Sequence, residues 1–191
     1  NEIISMGAND CPKAFGGLYW PKRDNTGRIA DEVGGRDYTL GYDSNKIEQK
    51  NIIVDILSSI ELEDNIRALL EQKLKSSTIS NLTEFGRVVH AEMEAISACA
   101  RNTISCKDAT LYSTTFPCHN CAKHIISSGI KKVVFIEPYP KSKAFEFYRN
   151  EISETTQENK VWFTPFIGVG PHRFIDLFAI KTPDLPIFTV I

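Results

Sequence analysis

The chain has 191 residues, a formal net charge of −2, 42% hydrophobic and 24% charged residues. That balance describes an ordinary globular protein long enough to build one sizeable core, so one domain over 1–191 is expected. No basic run is longer than a pair such as Lys131-Lys132, which argues against a grip on long nucleic acid, where clustered Lys and Arg are needed. Five cysteines, an odd number, suit a reducing compartment and therefore the cytoplasm. No apolar run reaches the roughly 20 residues that a membrane span requires, and no signal peptide is evident.

In chain order, the first signal is a short strand-like run at 3–6, followed by Gly7-Ala8-Asn9-Asp10, which reads as a turn. Residues 14–44 are rich in Gly, Asp and Asn and read as loop. Two amphipathic helices are expected over about 45–59 and 61–75, the second with Leu62, Ile66, Leu69, Leu70 and Leu74 at helical spacing. This helical insertion is a lid, a packing element or an oligomer contact. A helix over 91–102 repeats Ala91, Ala95, Ala98 and Cys99 along one buried stripe. Glu92 shares a stripe with Ala95, Ile96 and Cys99 and is expected to be partly buried, whereas Glu94 points about 200° away and is expected to be solvated.

A strand over 109–114 leads to Pro117-Cys118-His119-Asn120-Cys121. There a helix opens, with Cys118, Cys121, Ala122 and Ile125 on one face and Gly129 as its stop. A strand over 133–137, a helix over 142–151 and a strand over 161–164 follow. Strands alternating with helices predict an α/β fold with parallel crossovers. The tail, 181–191, holds Pro183 and Pro186 and reads as extended or partner-bound.

His90 and the two cysteines are three soft ligands, the set an open catalytic zinc site uses while keeping a fourth tetrahedral position for water. Two helix starts, one preceded by His90 and the other carrying both thiols, make a zinc cradle. The helix start itself favours thiolate. Glu92, two residues past the His, is placed to move protons. A lone C-x-x-C would serve equally as a redox pair or half of a structural zinc site, but neither use explains His-x-Glu upstream. Among phosphate donors, Lys141 and Lys143 follow a strand's carboxyl end and Arg173 stands beside His172; each also reads as an ordinary surface cation. His124 falls off the cysteine stripe and reads as surface, while His119 lies at the helix start near the site.

His-x-Glu followed by Pro-Cys-x-x-Cys is the signature of zinc nucleobase deaminases. Residues 89–95 together with 116–123 resemble the cytidine and deoxycytidylate deaminase superfamily. Further runs, at 5–9, 137–144 and 166–171 with Arg173-Phe174, resemble the deaminase domain of bacterial anti-phage dCTP deaminases. The resemblance implies a three-layer α/β/α, cytidine-deaminase-like fold with a central mixed sheet. It also implies that the run at 3–6 is the second strand, so that the first strand and a P-loop domain lie upstream in the same gene product.

It implies one zinc per chain held by His90, Cys118 and Cys121, and Glu92 as the catalytic proton carrier. Substrate contacts would come from Asn9 at the sugar, the backbone N–H of Ala91 and of Cys118, and Thr115. The expected partners are a small nucleotide and further copies of the chain in a homo-oligomer. The expected reaction is hydrolytic deamination of dCTP or dCMP in phage defence. Two rival readings stand beside it: a deaminase of guanine or of tRNA adenine, and a catalytically silent zinc module for oligomerisation or sensing.

Overall fold

Asp43 starts the first long helix of the chain, its carboxylate accepting hydrogen bonds from the backbone N–H of Asn45 and Lys46. In the computed structural model, which describes residues 2–170, it caps a helix that follows a hairpin and a short helix. The chain divides into two compact units, Asn1–Cys106 and Lys107–Ile191. Arg173, His172 and the tail over 181–191 lie outside the described residues.

In the first unit, a two-stranded antiparallel hairpin (β1, Lys22–Arg23; β2, Ile29–Ala30) precedes α1 (Asp37–Leu40), α2 (Ser44–Ser58) and α3 (Asp64–Lys75). α2 buries Gln49, Ile53 and Leu57, one residue per turn. The Gln49 amide donates to the Leu82 carbonyl at 2.8 Å, tying α2 to a 3₁₀ turn at Thr78–Asn81. Arg67 of α3 donates to the Leu57 carbonyl at 3.0 Å, which satisfies an acceptor at the end of α2. Both helices were expected, but α3 buries none of its residues: Ile66 and Leu69 on its apolar stripe are 43% and 55% exposed. α4 (Ala91–Arg101) closes the unit and buries Glu94, Ala98 and Cys99.

The second unit is a four-stranded sheet in the order β3-β4-β6-β5, from β3 (Thr110–Thr115), β4 (Lys132–Glu137), β5 (Ile152–Ser153) and β6 (Val161–Pro165). Every pair is parallel, with Leu111 opposite Val133, Val133 opposite Phe163 and Ile152 opposite Val161. The α/β class with a parallel sheet is therefore the observed one. The antiparallel member of a mixed sheet is not among its described strands, and residues 3–6 form no strand.

α5 (His119–Ser127) joins β3 to β4 and buries Cys121, Ala122 and Ile125 completely, alongside a core of Val133, Phe163, Ile152 and Ala144. Gly129, just past the end of α5, has φ +79°, the left-handed stop expected of it. The helix expected over 142–151 shrinks to α6 (Ala144–Phe147). Its last turn is spent at Tyr148, whose carbonyl accepts from both Glu151 and Ile152, and this turn delivers Ile152 to the buried strand β5.

Candidate metal centre

His90 occupies the N-cap position of α4 with extended backbone, φ −71° and ψ 152°, and its side chain makes no capping bond. Capping falls to a distant residue: Asn9 Oδ1 accepts from the Ala91 N–H at 2.7 Å. Gly7 and Ser5 run along the same helix turn. The Ser5 hydroxyl donates to the Ala95 carbonyl at 2.7 Å, and a Cβ on Gly7 would overlap the Ala91 carbonyl oxygen and stand 2.6 Å from the Ala95 nitrogen. Glu92, in the first turn, is half-buried as expected.

Glu94 differs from its expectation. It is buried, 8% exposed, and its carboxylate accepts from Arg101 at 2.8 Å. A buried carboxylate needs such a partner. The spacing of seven residues, two helix turns, puts the two on one face and was a signal available in the sequence.

In the second unit the parallel sheet ends at Thr115 and Glu137, and Phe116 N–H donates to the Glu137 carbonyl at 2.8 Å. Pro117 is fully buried, and its carbonyl accepts from the Ser142 hydroxyl at 2.8 Å. Cys118 is the N-cap of α5, its Sγ accepting from the Cys121 N–H at 3.4 Å. Both sulfurs thus stand at a helix N-terminus just beyond the carboxyl end of β3, where the macrodipole favours thiolate.

His119 turns its ring edge-on to Phe147, with centroids 5.5 Å apart. Thr115 is exposed and Lys141 is exposed, while the Lys143 ammonium pairs with Glu146 at 2.9 Å. Ligand atoms of His90, Cys118 and Cys121 all lie within 4.8 Å of one another. This is the one such His/Cys/Asp/Glu group among the described residues.

The family model described as the cytidine and deoxycytidylate deaminase zinc-binding region matches residues 28–137. The chain belongs to the cytidine and deoxycytidylate deaminase family. Within the matched residues fall His90, Glu92, Cys118 and Cys121.

Deoxycytidylate deaminase of Enterobacteria phage T2 is 53% identical over 55 residues, 29% of this chain and 29% of that protein. Human deoxycytidylate deaminase is 43% identical over 54 residues, 28% of this chain and 29% of that protein. The matched segment thus spans under a third of the length of these relatives. A solved dCMP deaminase of cyanophage S-TIM5, in complex with dCMP and dUMP, is 25% identical, with a TM-score of 0.35 over 44% of this chain and 60% of that one. No helix among the described residues is long and apolar enough to cross a membrane.

Proposed function

We propose that this deaminase-family chain hydrolyses the exocyclic amine of a free deoxycytidine nucleotide, dCTP or dCMP, giving the deoxyuridine nucleotide and ammonia. The observation that supports it is the three-ligand group of His90, Cys118 and Cys121, with Glu92 two residues beyond the His. One imidazole nitrogen and two sulfurs fit zinc better than they fit magnesium or calcium, which take oxygen ligands. Three protein ligands are the number a catalytic zinc site uses. When bound, zinc lowers the pKa of water from about 15.7 to about 7 and so supplies the nucleophile at neutral pH.

Glu92 carries the protons. Its carboxylate takes the first proton from the attacking water and delivers it to N3 of the ring, then takes the second from the hydroxyl formed on C4 and delivers it to the amine, which leaves as ammonia. The Asn9 Oδ1 is engaged by the Ala91 N–H, so Asn9 meets a sugar hydroxyl as a donor, through Nδ2. Lys141, exposed after the carboxyl end of β4, is the phosphate donor of choice; Lys143 would first leave Glu146.

A cytosine substrate is favoured over guanine or adenine because the relatives with the stated identities are deoxycytidylate deaminases. Three finer parts of the proposal rest on the sequence resemblance, namely a role in phage defence by depleting dCTP, an upstream P-loop domain and assembly as a homo-oligomer, and a cytoplasmic location rests on the odd cysteine count. The test is ammonia release. Zinc-loaded protein should release ammonia from dCMP or dCTP, lose this activity to a chelator and regain it with zinc. Full activity after the metal has been stripped to below a tenth of an equivalent would defeat the proposal.

A further inference from the structure

Asp10 is 7% exposed, and a buried carboxylate needs a reason. Its backbone forms the antiparallel bridge to Val89, the residue before His90: Val89 N–H donates to the Asp10 carbonyl at 2.9 Å, and Asp10 N–H to the Val89 carbonyl at 3.3 Å. Its carboxylate folds back onto the Cys11 N–H at 2.8 Å and is gripped by both ends of the Arg36 guanidinium, 2.6 Å from Nη2 and 3.1 Å from Nε. The remaining Arg36 nitrogen donates to Asp31 at 3.1 Å.

The next residue in sequence reaches the opposite strand of the bridge. Asp37 accepts from Arg87 at 3.0 Å, and Arg87 also donates to the Gly35 carbonyl at 3.0 Å. The Cys11 thiol donates to the same Asp37 oxygen at 3.4 Å. Burial, then the bond to Asp37, push this thiol above its usual pKa, so it serves as a protonated donor. Adjacent residues of opposite charge, Arg36 and Asp37, thus hold the two strands of one bridge. The residues just beyond that bridge are Asn9, which caps Ala91, and His90.

We infer that the Arg36–Asp37 pair is a clasp that positions His90 and the Asn9 cap at the start of α4, so that Arg36, Asp37 and Asp10 are positioning residues for the metal centre. This rests on the zinc reading of the site. A bidentate Arg–carboxylate contact fixes orientation as well as distance, which a hydrophobic contact of the same size would not. The clasp therefore acts on how firmly His90 is held in ligand geometry, and it acts in part through the Asn9 cap.

The test is the rate at which the zinc-loaded chain surrenders its metal to the chelator 4-(2-pyridylazo)resorcinol, for Arg36→Lys, Asn9→Ala and the double variant. Arg36→Lys keeps the charge but cannot grip Asp10 and Asp31 together. Each single change should speed zinc release at least fivefold, and the double variant should be slower than the product of the two. Asp37→Asn, on the other arm of the clasp, should speed release in the same direction and covers the case in which an Arg36 variant does not fold. Wild-type release rates in a folded Arg36→Lys or Asp37→Asn chain, or effects that simply multiply, would overturn the clasp while leaving the zinc reading intact. A wild-type chain that takes up no zinc would instead overturn the zinc reading itself.

Discussion

Glu92 is the residue on which the proposed chemistry turns, because the proposal makes it the proton carrier and not a metal ligand. Glu92→Gln should therefore keep the metal content of the wild type and lose about 10²–10⁴-fold in turnover. Elemental analysis and an ammonia assay on the same sample separate the two, and a variant that keeps a tenth of the wild-type rate would move the role elsewhere.

A second residue-scale outcome concerns Cys106. Burial, and then the Cys99 thiol beside it, push its pKa up to about 11 from the usual 9.0. The folded state thus prefers the protonated thiol; that stabilisation is complete below the unfolded value and fades as pH rises through about 11. At pH 8 its thiolate fraction, and with it alkylation by iodoacetamide, should be roughly a hundredfold below that of a free thiol. Peptide mapping after timed alkylation reads this directly; labelling at the free-thiol rate would contradict it.

At the scale of elements, α4 depends on the segment that runs along its first turn. Gly7 has no room for a Cβ there, since the Ala91 carbonyl and the Ala95 nitrogen fill the space. Gly7→Ala should cost about 1–3 kcal/mol by overpacking, seen as a Tm lower by roughly 3–10 °C; an unchanged melting curve would show that the segment can lift off the helix at no cost. The elements that were legible in the sequence are those with a strong period and clear ends. α4, with its Ala and Cys stripe, and α5, with Cys118 at its start and Gly129 after its end, stand within two residues of their expected bounds.

The less legible elements fail for physical reasons. β5 is two residues long and owes its existence to Tyr148 turning the chain, a tertiary event that no local period announces. The stripe on α3 has a helical period, yet that period does not report what the stripe packs against. The site shows the same division. The group of His90, Cys118 and Cys121 was readable from residue type and spacing, whereas the contacts of the Arg36–Asp37 clasp join positions up to 50 residues apart that carry no motif.

For the whole molecule, the net charge of −2 disfavours a grip on a long polyanion, which is consistent with the proposed small nucleotide substrate held by local donors. Assembly as a homo-oligomer, part of the same proposal, should appear in sedimentation as a species heavier than one chain at micromolar concentration; a fully active monomer would contradict it. The central claim is the deamination of a free deoxycytidine nucleotide, and product chromatography addresses it most directly. Zinc-loaded protein is incubated with dCMP, dCTP, CTP, cytidine and single-stranded DNA, and loss of the amine is followed for each. The account predicts conversion of dCMP or dCTP to its deoxyuridine counterpart ahead of every other substrate; rapid deamination of the DNA with neither deoxynucleotide consumed would contradict it.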